Sequence, residues 1–151
     1  MNTMLRSLPL AAATVLALAA ATPALAQSQA RRVGPEQLSS YWILLNFGSV
    51  QADVPNSGQN LTKPGCVAIT YEIGTDGKPQ DAAINKVMPK SDLGSAALSL
   101  VKRFEYGPSL NNGSKKEPVS TYYVVGFNLP EDKAAAKQVT DACRLPGYDQ
   151  A

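Results

Sequence analysis

The chain is organised around Gly65-Cys-Val-Ala-Ile-Thr-Tyr-Glu-Ile-Gly-Thr-Asp-Gly77. Val67, Ile69, Tyr71 and Ile73 alternate with Cys66, Ala68, Thr70 and Glu72, the period-2 pattern of a strand with one apolar face. Gly74-Thr75-Asp76-Gly77 follows with residues that tolerate positive φ, so the chain turns back as a hairpin. The returning strand runs from Pro79 to Val87 with Ala82 and Ile84 on one face. Proline cannot donate to a ladder, which places Pro79 at the strand's start or on an edge.

Working outward toward the C-terminus, Ser91-Asp92 offers an N-cap oxygen for the clearest amphipathic helix in the chain. Leu93, Ala96, Ala97, Leu100, Val101 and Phe104 share its apolar side, while Lys102 and Arg103 face water. Gly107-Pro108 is the expected stop, and Asn111-Asn112-Gly113-Ser114 a turn. Val119 to Leu129 is the longest strand expected, with Val119, Thr121, Tyr123, Val125, Phe127 and Leu129 on the core face. Pro130-Glu131-Asp132 then starts a short helix whose Ala135, Ala136, Val139, Ala142 and Cys143 share a side.

Toward the N-terminus, Ser49 to Pro64 has a turn-forming composition and reads as a connector. Before it, Gly34-Pro35-Glu36 resembles a helix start, and Leu38, Tyr41, Trp42 and Leu45 fall on one helical face. The spacing predicts a helix here, although Trp42 to Phe47 is also a nearly continuous apolar run that suits a buried strand. Trp42 is expected in the core. Gln27 to Val33 is polar and basic and reads as a loose terminus.

The first residues are an address. Arg6, the apolar Leu8 to Ala21 and the small-x-small Ala24-Leu25-Ala26 form a secretory signal peptide with cleavage before Gln27. Its apolar core, bracketed by Pro9 and Pro23, is shorter than the roughly 20 residues of a membrane anchor. The periplasm is the expected compartment. The whole chain has 14 basic and 12 acidic residues, and losing Arg6 leaves the mature protein close to neutral. A near-neutral chain lacks the field that draws proteins to phosphate backbones, so nucleic acid is not an expected partner. Histidine is absent, which removes the commonest general base and metal ligand, and no metal or cofactor is expected. Glu72, Asp76 and Asp81 cluster around the hairpin, but exposed face, turn and solvent account for them in that order. With no nucleophile-base pair and no phosphate loop, an enzyme is not expected.

The only two cysteines, Cys66 and Cys143, are expected to pair in an oxidising compartment. Cys66 faces away from Val67 and Ile69, so the tail helix must cross to the second face of the sheet to reach it.

The order strand, Asp-Gly turn, strand, helix, strand resembles the C-terminal domain of the TonB family of periplasmic energy transducers. The resemblance is carried by Gly65-x-Val67-x-Ile69-x-Tyr71-x-Ile73-x-x-Asp76-Gly77, by Leu93-x-x-Ala96-Ala97-Leu98-x-x-Val101-Lys102-x-Phe104-x-Tyr106-x-Pro108, and by Gly113 and Phe127-x-Leu129. Val54-Pro55 keeps the proline of the family's opening but not its tyrosine, Phe104 stands for a tryptophan and Gly94 for an aspartate. The resemblance implies an α+β fold: a small antiparallel sheet with one amphipathic helix packed on it (β-β-α-β), plus an N-terminal segment and a short C-terminal helix. The expected divisions are a signal peptide at 1–26, an extension at 27–53, the TonB C-terminal-like domain at 54–130, and a C-terminal helix and tail at 131–151.

Function follows the resemblance only in part, because a long proline-rich spacer and an anchor are not evident and fold alone does not fix activity. The resemblance implies a protein-binding module that captures an extended segment by strand addition, linked to outer-membrane transport. The capturing strand would comprise Thr121, Tyr122, Tyr123, Val124, Val125, Gly126 and Asn128. The partner is then an outer-membrane transporter or another envelope protein. An apolar edge without charge or proline needs a cover, and the chain's own Trp42 to Phe47 segment or a second copy forming a homodimer are the alternatives to a foreign partner. A membrane-anchored energy transducer is the reading if the leader is retained, and N-terminal sequencing of the exported protein separates the two.

Overall fold

A computed structural model describes residues 30–148; the leader with its cleavage site, Gln27 to Gln29 and residues 149–151 lie outside the described residues. Its first regular element, β1 (Arg31–Arg32), is followed by a 3-10 turn at Leu38–Ser40 and by β2 (Trp42–Leu44). The sheet hairpin is β3 (Gly65–Ile73) and β4 (Pro79–Met88). Helix α1 (Gly94–Val101), β5 (Tyr106–Pro108), β6 (Val119–Phe127) and helix α2 (Lys133–Asp141) complete the chain. The architecture is α+β, with a four-stranded sheet in the order β1-β6-β3-β4 and a two-stranded ribbon of β2 and β5. Among the described residues, no helix is long and apolar enough to cross a membrane.

The central strand is the one whose alternation was clearest. β3 pairs antiparallel with β4 on one side and along its whole length with β6 on the other. Val67, Ile69, Tyr71 and Ile73 join Val119 and Val125 in the main core, against Leu93, Ala97 and Val101 of the α1 region. The hairpin turn closes through Gly77 N–H to Gly74 C=O (2.9 Å), and the Asp76 carboxylate accepts from Lys78 N–H at 3.0 Å. Gly77 lies at φ 76° with the Tyr106 carbonyl against its α-carbon, so the conformation and the close approach both require glycine.

On the opposite face, Cys66 and Cys143 form a disulfide with a Cα–Cα distance of 6.0 Å. Cys143, Leu145 and Tyr148 pack there on Cys66, Ala68 and Tyr122, so the tail does cross to the second face. α2 starts where Pro130-Glu131-Asp132 predicts, capped by the Asp132 carboxylate on Ala135 N–H (2.8 Å). It buries none of its own residues, and its tether is the segment after it.

Several expectations give way to long-range pairing. Leu38 to Leu45 is not a helix: after the short 3-10 turn, Trp42, Ile43 and Leu44 pair with Pro108, Gly107 and Tyr106. Trp42 is buried as expected, its indole N–H donating to Glu117 C=O at 2.8 Å. Gly107-Pro108 therefore lies within a strand, and α1 has already ended at Val101. Phe104 belongs to the turn beyond the helix. Asp92 does not cap α1, because its carboxylate accepts from Gln59 N–H in the connector at 2.7 Å. Leu129 lies outside β6 and is exposed. Finally, Arg31 and Arg32 are no loose terminus but a parallel strand against Val119 and Ser120, and Val33 behind them is fully buried.

Within the main core, the Tyr71 and Tyr106 hydroxyls meet at 2.5 Å. Burial raises Tyr106 to about 12, and burial together with the neighbouring Tyr106 raises Tyr71 well above the usual tyrosine value near 10. Above about pH 10 the native state therefore holds protons that the unfolded chain releases. Stability complete below that pH should fall as pH rises through and beyond it, by up to about 1.4 kcal/mol per pH unit per tyrosine. Thermal melts from about pH 9 to about pH 11.5 check this, and an unchanged midpoint would contradict it.

Candidate functional site: the free edge of β6

A strand directs the N–H and C=O of alternate residues to opposite sides. Ser120 C=O accepts from Val33 N–H at 2.9 Å, so Ser120 faces β1. By alternation Thr121, Tyr123, Val125 and Phe127 bond to β3, while Tyr122, Val124 and Gly126 point their backbone groups outward. Among the described residues these three outward positions have no backbone partner.

The chain's own N-terminal strand stops short of them for a chemical reason. In the parallel register of β1 with β6, the next donor to Tyr122 C=O would be residue 35. That residue is Pro35, which has no N–H, and the chain leaves the sheet there. At the other end, Asn128 takes φ 48° and donates its side-chain amide to the carbonyls of Leu61 (2.8 Å) and Lys63 (3.2 Å). Leu129 then folds back over Gly126, where a Cβ would meet its Cδ1 at 2.6 Å. The open lane thus runs from Tyr122 to Gly126, about 13–17 Å of strand.

This lane is the floor of a groove. Toward the α1 face lies a concavity of about 570 Å³ walled by Phe47, Val50, Leu100 and Phe104. Toward α2 lies one of about 420 Å³ walled by Glu36, Lys137, Thr140, Asp141 and Arg144. Both include Tyr123, Val124 and Thr140, so they meet across the strand. Arg144 pairs with Glu36 at 2.6 Å and Lys137 with Asp141 at 2.5 Å. The carboxylate of Glu36 raises the pKa of the Arg144 guanidinium, with the Tyr122 hydroxyl contributing.

The opposite edge of the sheet is protected. β4 carries Pro79 at its start, Lys86 along it, a residue with positive φ at Asp81, and two register irregularities against β3. These are the devices that stop a strand from templating another.

Of the strand residues read from the sequence, Tyr122 to Gly126 come together along the groove. Thr121 and Asn128 do not: the Thr121 hydroxyl donates to Val33 C=O at 2.7 Å, and Asn128 ends the strand. The Trp42 to Phe47 segment does not cover the edge, since its strand pairs with β5. The walls of the groove are marked only faintly in the sequence. Ile43, Leu45 and Phe47 alternate and are all exposed, a pattern that signals an apolar outer row, and Pro35 signals the stop of β1. The hairpin carboxylates are separate features: Asp76 serves the turn, Asp81 is exposed and Glu72 half-buried. Among the described residues no three His, Cys, Asp or Glu side chains converge on a possible metal position.

Fold and groove together define a small α+β module with one sheet edge protected and the other open. Residues 55–129 match the family model described as the Gram-negative bacterial TonB protein C-terminal, and this stretch is a TonB C-terminal-like domain. Domains of this family are non-enzymatic protein-interaction domains found in the periplasm of Gram-negative bacteria. No match to the chain was found among curated proteins or among solved structures.

Proposed function

We propose that the chain is a periplasmic protein-binding module, released by removal of residues 1–26, that captures an extended segment of an envelope protein by adding it to β6. An outer-membrane transporter is the partner class that the family points to, with a role in transport. The observation that carries this reading is the row of outward backbone groups at Tyr122, Val124 and Gly126, left open by Pro35 and bounded by Asn128. Backbone pairing along such an edge supplies affinity, and the walls on either side supply selectivity.

Hydrogen exchange tests the edge directly. In the free monomer, Val124 and Gly126 amides should exchange fast while Tyr123 and Val125, bonded to β3, exchange slowly. Slow exchange throughout Thr121 to Asn128 without a partner would mean the edge is already covered, and the reading would fail. Val124→Pro removes an outward N–H and no β3–β6 bond, so the variant should fold and lose capture. The same substitution at Val125 breaks the inner ladder and should unfold the domain. A folded Val124→Pro protein that still binds its partner with unchanged affinity would place binding elsewhere.

A further inference from the structure

A third cavity, of about 230 Å³, lies between β6 and the segment made of the 3-10 turn and β2. Its main lining side chains are Leu38, Trp42, Leu44, Tyr106 and Tyr123, and no charged residue borders it. The walls are therefore mostly apolar, and the polar groups among them are phenol hydroxyls. Tyr71 and Tyr106 share one hydrogen bond at 2.5 Å, and neither hydroxyl has another partner among the described residues. Two hydroxyls carry two protons, and one bond uses only one of them. Tyr71 is 3% exposed and does not line the cavity, so a spare proton on it would be sealed in the core without an acceptor. The favoured arrangement has Tyr71 donating to Tyr106, which leaves the spare proton on Tyr106, a residue 5% exposed that does border the cavity. Tyr123 borders it too, is half-buried, and its hydroxyl has no hydrogen-bond partner among the described residues.

We propose that this cavity binds a small neutral aromatic molecule with one hydrogen-bond acceptor, of the class of aryl ketones and aldehydes. The donors left over on Tyr106 and Tyr123 call for an acceptor, and a carbonyl oxygen has two lone pairs to offer them. The absence of a charged lining residue selects a neutral ligand, because an ion would lose its hydration without gaining a counter-charge. The rings of Trp42, Tyr106 and Tyr123 favour an aromatic body over an aliphatic one. Size agrees: a dry apolar cavity of about 150 Å³ accepts benzene, so this one has room for one ring and a short polar substituent. The site is independent of strand addition, since it uses the side chain of Tyr123 and not the outward backbone of β6.

Titration of the oxidised mature protein with acetophenone, followed by two-dimensional amide NMR, tests this. Trp42 is the only tryptophan in the chain, so its indole N–H gives a single resonance inside the cavity wall. That resonance and the amides of Leu38 and Leu44 should shift saturably, with a Kd of about 1 mM or below, as expected for a ligand of this size. Tyr123→Phe keeps the ring that meets Phe104 edge-on and removes only the hydroxyl, so the variant should fold like the parent. It should weaken acetophenone by about fivefold or more while changing ethylbenzene, which has the same shape without the oxygen, by less than about twofold. No saturable shift at about 10 mM acetophenone would overturn the proposal, as would shifts centred on Phe47 and Leu100, which would put the ligand in the larger groove. A folded Tyr123→Phe protein that binds acetophenone as tightly as the parent, or that loses both ligands equally, would overturn recognition through the hydroxyls.

Discussion

Phe104→Ala should destabilise the domain by about 3–5 kcal/mol, the range for removing a fully buried aromatic ring. Phe104 sits just past α1, its N–H bonded to Val101 C=O at 3.1 Å, and its side chain is 2% exposed. The ring meets Tyr123 edge-on at 5.0 Å between centroids and Tyr106 edge-on at 6.1 Å. Such aromatic pairs each add about 0.5–1.5 kcal/mol beyond burial. Truncation therefore leaves a void where the helix end, β5 and β6 come together, and it removes part of the apolar wall of the groove. Phe104→Leu, which keeps more of the buried volume, should cost less. Urea unfolding measures both, and a loss under about 1 kcal/mol for the alanine variant would show that the ring does not anchor this junction.

Removing the disulfide should have an effect of similar size. Cys66 and Cys143 are 77 positions apart, and the chain-entropy model gives about 4–5 kcal/mol for closing a loop of that length, with about 2–5 kcal/mol typical when a native bridge is lost. The structure adds a local consequence. α2 buries none of its residues, so the polar wall of the groove is held by the C-terminal segment beyond it, through Cys143, Leu145 and Tyr148 against Cys66, Ala68 and Tyr122. A Cys66→Ala, Cys143→Ala variant should thus melt far lower and exchange its α2 amides faster than the parent. It should also capture a segment at β6 less tightly. A thiol assay on the unfolded, non-reduced mature protein should find no free cysteine. Two free thiols there, or a double variant within about 1 kcal/mol of the parent, would refute the role assigned to the bridge.

The features legible in the chain's own order of residues are local in origin. The alternation of Val67, Ile69, Tyr71 and Ile73 specified β3 and its buried face, because period 2 is a property of any extended chain. The Gly74 to Gly77 turn, the apolar side of Leu93, Ala97 and Val101, and the Asp132 cap were legible for the same reason. Each depends on residues a few positions apart. With only two cysteines in the chain, their pairing and the side of the sheet that the tail covers were legible too.

Long-range pairing set the remaining features. Leu38, Tyr41, Trp42 and Leu45 share a helical face in sequence, yet Trp42 to Leu44 is a strand because its ladder partner is Tyr106 to Pro108. That partner is far along the chain and leaves no local mark, and tertiary pairing overrides a short-range pattern. Arg31 and Arg32 likewise join the sheet through backbone groups alone, which every residue has, so their side chains carried no strand signal. The same pairing set the extent of the open edge. Where β1 stops on β6 depends on the parallel register that puts Pro35 opposite the Tyr122 carbonyl, and which walls flank the lane depends on folding Phe47 and Lys137 to its two sides. A strand's own residues specify its faces, but whether its edge is covered is specified by segments distant in sequence, because a ladder needs a second backbone.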